Sequence, residues 1–169
     1  MNTSFQISSL EANDSRLTQV ALLAEKIWQQ HFTPIIGEQQ VAYMLDKFQS
    51  EAAMRQQIND GVEYFVIADS QPCGYMALID SGDKDRMMLS KLYVAEQYRG
   101  QGVGYQLLNF AEEICRQREI QALWLTVNRD NSDSISWYQW QGFTLVDEVK
   151  KDIGNGFFMD DFVMQKAIV

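Results

Sequence analysis

The sequence predicts an α/β fold: a mixed, mostly antiparallel sheet of about six to seven strands flanked by helices. Two observations carry this. "VEYFVIAD" and "CGYMALID" are rich in β-forming residues and flank the turn "SQPCG", which reads as a hairpin. Val103, Leu107, Leu108, Ala111, Ile114 and Cys115 then make a helical stripe between the strands "RMMLSKLYVA" and "ALWLTVN", so a crossover joins them.

The elements follow in order. "FQISSL" is an early strand. Asn13 to Ser15 supply N-cap residues for a helix whose apolar face is Leu17, Val20, Ala21, Ala24, Ile27 and Trp28. "TPIIG" breaks it. "EQQVAYMLDKF" predicts a second helix, and "SEAAMRQQIND" a third that ends at Gly61 as a C-cap. After the hairpin, "SGDKD" turns into the third strand. Beyond the crossover, "NSDSISWYQWQ" is a short helix with Asn131 as N-cap, its Trp137 and Trp140 packing against the sheet. "GFTLVDEVK" and "FFMDDFVMQKAIV" are closing strands joined across "DIGNG".

A length of 169 residues fits a single domain over 1–169, large enough for a core without disulfides or metal. The two cysteines, Cys73 and Cys115, lie at neither metal-ligand nor redox-motif spacing, which predicts a reduced, cytoplasmic chain. The polar start "MNTSFQISSLEANDSR" lacks a signal-peptide layout, and no apolar run is long enough to span a membrane. A net charge of −9 argues against a nucleic-acid backbone as partner. Acidity suits a cationic substrate, and it also simply promotes solubility.

The stretch "YRGQGVG", Tyr98 to Gly104, places three glycines at alternate positions between a strand and a helix. A dinucleotide fingerprint needs G-x-G-x-x-G and an acidic residue about 20 positions on. The spacing here is G-x-G-x-G, and the next strand ends "LTVN". A P-loop needs Gly-Lys-Ser/Thr, but Tyr105 and Gln106 follow Gly104. Two readings stay open: a tight strand-to-helix turn, and an anion site where unbonded helix N–H groups meet a phosphate. In the second, Gly100, Gly102 and Gly104 let the backbone approach the ligand, and Arg99 adds positive charge.

"LYVAEQYRGQGVGYQLL" resembles the acyl-CoA-binding segment of the GNAT superfamily of N-acetyltransferases, whose Arg/Gln-x-x-Gly-x-Gly/Ala pattern is met by Arg99, Gly102 and Gly104. "VNRDNSDSISWYQWQGF" resembles the family's Asn…Asn-x-x-Ala-x-x-x-Tyr-x-x-x-Gly-Phe segment through Asn128, Asn131, Tyr138, Gly142 and Phe143. Ser134 stands where alanine is usual. The likeness covers roughly residues 60–166 well, with a bacterial branch linked to polyamine acetylation as a looser match.

The resemblance implies direct acetyl transfer from acetyl-CoA to an amine, with no metal. Backbone groups of Arg99, Gly100, Gln101, Gly102, Val103, Gly104 and Tyr105 would hold the pyrophosphate. The pantetheine arm would pair with Leu92, Tyr93 and Val94 like an added strand, and an N–H near Leu92 would polarise the thioester carbonyl. Tyr138 aligns with the tyrosine that protonates the leaving thiolate in many relatives. Its alternative is one more packing aromatic. Asn131 would contact CoA, cap its helix, or do both.

The general base is unassigned. Many relatives carry a glutamate on the strand before the loop, whereas Ser90 and Lys91 stand here, and Asp85 and Glu63 are distant substitutes. His31, the sole histidine, precedes "FTPIIG", which borders the acceptor site in this family, and is entered as a substrate-site candidate. Its alternative is a histidine that suits a helix C-terminus. The acceptor reads as a primary amine of a small molecule; the chain layout and the ending "FFMDDFVMQKAI" loosely resemble the polyamine branch, which implies a polyamine, a cation that an acidic cleft would attract. A protein or peptide N-acetyltransferase and a non-catalytic acyl-CoA-binding module are the alternatives. Relatives often dimerise through the C-terminal strands, and "FFMDDFVMQ" alternates, which leaves room for a homodimer.

Overall fold

Seven strands and five longer helices form in the predicted order, with one further helical turn, in the computed structural model, which describes residues 4–168. Met1–Thr3 and Val169, the ends of the expected domain, lie outside the described residues. The elements are β1 (Gln6–Leu10), α1 (Leu17–His31), α2 (Thr33–Ile36), α3 (Glu38–Phe48), α4 (Glu51–Asn59), β2 (Glu63–Ala68), β3 (Pro72–Ile79), β4 (Met87–Val94), α5 (Val103–Gln117), β5 (Ala122–Asn128), α6 (Ser132–Trp140), β6 (Thr144–Gly154) and β7 (Phe157–Ala167). The strands form one sheet in the order β1-β2-β3-β4-β5-β7-β6. The pairings are antiparallel for β1–β2, β2–β3, β5–β7 and β6–β7, while β4 and β5 run parallel through the α5 crossover.

The chain divides into two compact units, Met1–Ile79 with Lys91–Ala111, and Asp80–Ser90 with Glu112–Val169. In the first, the helical stripe on α1 is buried as Leu17, Val20, Ala24, Ile27 and Trp28. Leu17, Val20 and Ala24 join Leu10, Met54, Tyr64, Val66, Tyr75 and Ala77 in a common core. α4 is followed by Gly61 at φ +103°, as expected, and at its other end Ser50 Oγ accepts from Ala53 N–H at 3.1 Å. Gly74 has ordinary φ but is still obligatory, because a Cβ there would stand 2.6 Å from the Tyr93 carbonyl oxygen. In the second unit, β5 and β7 run in continuous register from Ala122↔Ala167 to Asn128↔Asp161, with Leu123 and Met164 fully buried.

Four expectations are corrected. The α1 N-cap is Arg16 and makes no side-chain cap bond. Asp14 instead turns its carboxylate onto the Arg16 backbone N–H (2.9 Å) and guanidinium (2.8 Å), a local ion pair that competes with capping. "TPIIG" ends α1, yet Thr33–Ile36 is itself a helical turn, because Pro34 sits where its missing N–H and fixed φ suit a helix start. The last hairpin turns within "DIGNG" at its final pair, Asn155 (φ 55°) and Gly156 (φ 79°), which take the left-handed conformations, so β6 runs on to Gly154 instead of ending at Lys150. Trp140 is 88% exposed and packs against no sheet, since the buried side of α6 is set by Tyr138.

Candidate functional site

In the first unit, the end of β4 is fixed by the Ala95 N–H, which donates to the Cys73 carbonyl at 2.8 Å. A 3₁₀ turn, Glu96–Tyr98, follows, and then Arg99 in extended conformation. Gly100 (φ 76°) and Gly102 (φ 78°) take left-handed backbone that other residues rarely adopt. A Cβ at either would meet nothing within 4 Å, so conformation and not crowding demands glycine there, and the space beside the backbone is open. α5 begins at Val103, which is buried, with Gly104 in its first turn and Tyr105 exposed. Its ladder opens with Gln106 N–H to Gly102 C=O at 3.0 Å. The N–H groups of Val103, Gly104 and Tyr105 come before that bond, where an α-helix offers no acceptor, at the positive end of a 15-residue dipole. Arg99 is exposed, and its Nε leans on the Val94 carbonyl at 3.4 Å. These groups fit the diphosphate of a CoA ester.

Leu92, Tyr93 and Val94 end β4, all half-buried. The register between β4 and β5 runs through Met87↔Leu123 and Met88↔Trp124, early in both strands. The Tyr93 ring joins an aromatic cluster with Trp28 (5.6 Å), Phe32 (6.1 Å) and Tyr75 (5.4 Å). His31, in the last turn of α1, sets its ring edge-on to Phe32 at 4.9 Å, so it stands beside this cluster. The Trp28 indole N–H is buried there without an acceptor.

Lys91, noted in the sequence only for occupying an acid's place, proves to be buried. Its ammonium donates to Phe48 C=O (2.5 Å), Gln57 Oε1 (3.0 Å) and Tyr64 Oη (2.6 Å). Tyr64 donates to Gln57 Oε1, and Gln57 Nε2 to Phe48 C=O at 3.0 Å, which closes the ring of bonds. Burial without a carboxylate in this ring pushes the Lys91 amine down to about 7. Alternation with buried Met87 and Leu89 is the sequence signal that could have placed it inward.

A cleft of about 460 Å³ opens in the same unit between α1, α3 and the start of α4. It is lined by Glu25, Asp46 and Glu51 with Leu22 and Leu45, and by no lysine or arginine.

In the second unit, Asn131 caps α6: its Oδ1 accepts from Ser134 N–H at 3.4 Å, and its own N–H donates to Asn128 C=O at 2.9 Å. Asn128 Oδ1 accepts from Asp130 N–H at 2.9 Å, so both asparagines shape the β5–α6 turn. Tyr138 is buried between Trp137 (5.1 Å) and Phe143 (5.3 Å), and burial raises its phenol pKa far above the ordinary value. A phenol so held stays protonated across the ordinary pH range. Gly142 (φ 98°) stops α6, and Phe143 N–H folds back onto Tyr138 C=O at 3.0 Å. Asp161, overlooked in the sequence, is 5% exposed, and desolvation pushes its carboxyl up to about 6. Of the distant carboxylates, Asp85 lies exposed in the β3–β4 turn and Glu63 begins β2. Among the described residues, no three His, Cys, Asp or Glu side chains gather in a metal-binding group.

Residues 24–143 match the acetyltransferase (GNAT) family. The chain belongs to that family, the N-acetyltransferases that draw their acyl group from acetyl-CoA. An uncharacterized N-acetyltransferase in the pepI 3′ region of Lactobacillus delbrueckii subsp. lactis is 30% identical over 63% of this chain and 64% of its own length. This match therefore spans just under two thirds of the relative. A spermidine N(1)-acetyltransferase of Thermoplasma acidophilum is 27% identical over 93% of this chain and 96% of its own. The crystal structure of the PaiA N-acetyltransferase of Thermoplasma acidophilum, in complex with coenzyme A, is similar at a TM-score of 0.78 and 26% identity, over 97% of this chain and 99% of that one.

Proposed function

We propose that this GNAT chain, as one domain over residues 1–169, moves the acetyl group of acetyl-CoA to a primary amine of a small polycation, a polyamine. The observation that carries the reading is the Gly100–Gly102 turn into the unbonded N–H groups of α5. Acetyl-CoA supplies an activated thioester carbonyl. The Arg99, Gly100, Gln101, Gly102, Val103, Gly104 and Tyr105 backbone would bind its diphosphate, and Leu92, Tyr93 and Val94 would pair with its pantetheine amides. The Leu92 N–H would stabilise the oxyanion that forms when the amine nitrogen attacks the carbonyl carbon. As the carbon–sulfur bond breaks, the sulfur takes the bonding pair and the Tyr138 phenol would protonate it, while the attacking nitrogen sheds its proton to water and the phenolate regains one from solvent. Asn131 would add a CoA contact beside its cap, and His31 would border the acceptor.

The acceptor class rests on three supports. The net charge is −9, Glu25, Asp46 and Glu51 line a cleft without basic residues, and a relative covered over 96% of its length is a spermidine N(1)-acetyltransferase. A cytoplasmic setting is supported by two free, buried cysteines.

Thiol release from acetyl-CoA with a panel of amines, run beside calorimetric CoA binding, tests the proposal. Spermidine and spermine should give the highest kcat/KM, and added salt should lower it. Turnover confined to peptide amines would favour a protein N-acetyltransferase. Binding of acetyl-CoA with no turnover on any amine would favour a binding module.

A further inference from the structure

The N–H that the proposed reaction uses belongs to Leu92, and its neighbours show which way it points. Ala95 N–H donates to Cys73 C=O at 2.8 Å on β3. The Tyr93 carbonyl oxygen stands so close to Gly74, also on β3, that a Cβ there would lie 2.6 Å away. The backbone polar groups of Tyr93 and Ala95 therefore face β3, and those of alternate residues in a strand face the opposite edge. Leu92 and Val94 turn theirs away from β3, and Val94 C=O meets Arg99 Nε there at 3.4 Å. The register with β5 runs through Met87↔Leu123 and Met88↔Trp124, before this stretch is reached. Past Met88, the inward side chains of Lys91 and Tyr93 steady the strand on either side of Leu92.

We propose that Lys91 is a positioning residue for acetyl transfer, its buried ammonium setting the direction of the Leu92 N–H toward the thioester oxygen. The inference rests on the acetyl-CoA reading above and is independent of which amine accepts. Lys91 Cα and Leu92 N–H belong to one planar peptide unit, so fixing the first orients the second. Lys91 continues the buried alternation of Met87 and Leu89 and is 7% exposed. Its ammonium donates to Phe48 C=O at the end of α3, to Gln57 Oε1 on α4 and to Tyr64 Oη on β2. All three ammonium protons are thereby engaged, which leaves the side chain one orientation. Gln57 is held in turn by Tyr64 and by Phe48 C=O, so the acceptors are themselves fixed. On the far side of Leu92, the Tyr93 ring packs against Trp28, Phe32 and Tyr75. An ammonium buried without a carboxylate destabilises a fold, and methionine, of similar length, would fill the same space without that cost. The charge is accounted for by the geometry it imposes on β4.

Acetyl-CoA carrying ¹³C at the thioester carbonyl tests this before any amine is added. Difference infrared spectra of the full chain are taken at about pH 6, where the Lys91 amine is charged. Binding should lower the wild-type carbonyl stretch, because a donated hydrogen bond polarises C=O. In Lys91→Met the stretch should return most of the way to its free value, while the calorimetric Kd for acetyl-CoA holds within about threefold. With any amine that turns over, kcat should fall at least about tenfold at that pH, with both KM values little changed. Tyr64→Phe removes one of the three acceptors and should give a smaller fall, and the double variant should fall no further than Lys91→Met alone. A lysine that merely holds the fold together would shift stability and leave the stretch where it was. The same stretch in wild type and Lys91→Met, or a wild-type kcat in Lys91→Met, would overturn the proposal. A shift present in wild type and lost in Lys91→Met, with no amine turned over, would sink the acceptor reading and uphold this one.

Discussion

Lys91→Met isolates the buried ammonium held by Phe48, Gln57 and Tyr64. Its amine falls from the ordinary 10.5 to about 7 because burial penalises the charged form. Below about pH 7 the lysine is charged in both folded and unfolded chains, and the folded chain carries the full burial cost. Between about 7 and 10.5 the unfolded chain holds a proton that the folded chain has shed, so stability rises with pH. The slope approaches about 1.4 kcal/mol per pH unit, and the full span is worth about 5 kcal/mol. Methionine removes the titration, and the Tyr64–Gln57–Phe48 bonds survive without the ammonium. Urea unfolding of both proteins from about pH 6 to about pH 9 gives the difference, in which every other titrating group cancels. Lys91→Met should be the more stable of the two at the acid end, losing about 3 kcal/mol of that advantage by the alkaline end. A difference that stays flat across the range refutes the reasoning.

Tyr138→Phe keeps the packing against Trp137 and Phe143 and should lower kcat at least about tenfold while the acetyl-CoA KM holds; an unchanged kcat would sink the acid role. Gly74→Ala sets a methyl 2.6 Å from the Tyr93 carbonyl oxygen, so β3 and β4 must part locally. Chemical unfolding should show a loss of about 1–3 kcal/mol, and acetyl-CoA should bind more weakly if Leu92–Val94 carry the pantetheine. Gly102→Ala, at φ 78°, should cost about 1–2 kcal/mol of stability and weaken CoA in calorimetry more than it alters kcat. Asp161 holds its proton up to about pH 6 when folded against an ordinary 3.8, so wild-type stability should fall as pH climbs through that window. Asp161→Asn should abolish the fall in thermal melts.

The elements that position the donor loop were legible because their causes are local. Glycine spacing at Gly100 and Gly102 answers to a backbone hand fixed within one residue, and Ser50 and Asn131 cap the helices they directly precede. The Asp14–Arg16 pair and the helical turn Thr33–Ile36 were missed for the opposite reason: two local preferences competed, and composition did not rank them. Tyr138 was found through a motif, whose Gly142 and Phe143 prove to end α6 and pack on that tyrosine.

By itself, the sequence carried the likeness to the family in two motifs, and it determined the order of the strands and longer helices and the backbone geometry of the turn into α5 through period, capping and glycine conformation. Tertiary structure alone decided which charges are buried and which apolar groups are not. Lys91 is enclosed because Phe48, Gln57 and Tyr64 converge from distant parts of the chain. Gly74 is obligatory because Tyr93 approaches it, and the β6 edge is exposed because nothing in the sheet order follows it. A residue's type sets what it can do in water or out of it; only the folding of remote segments around it fixes which of the two it meets.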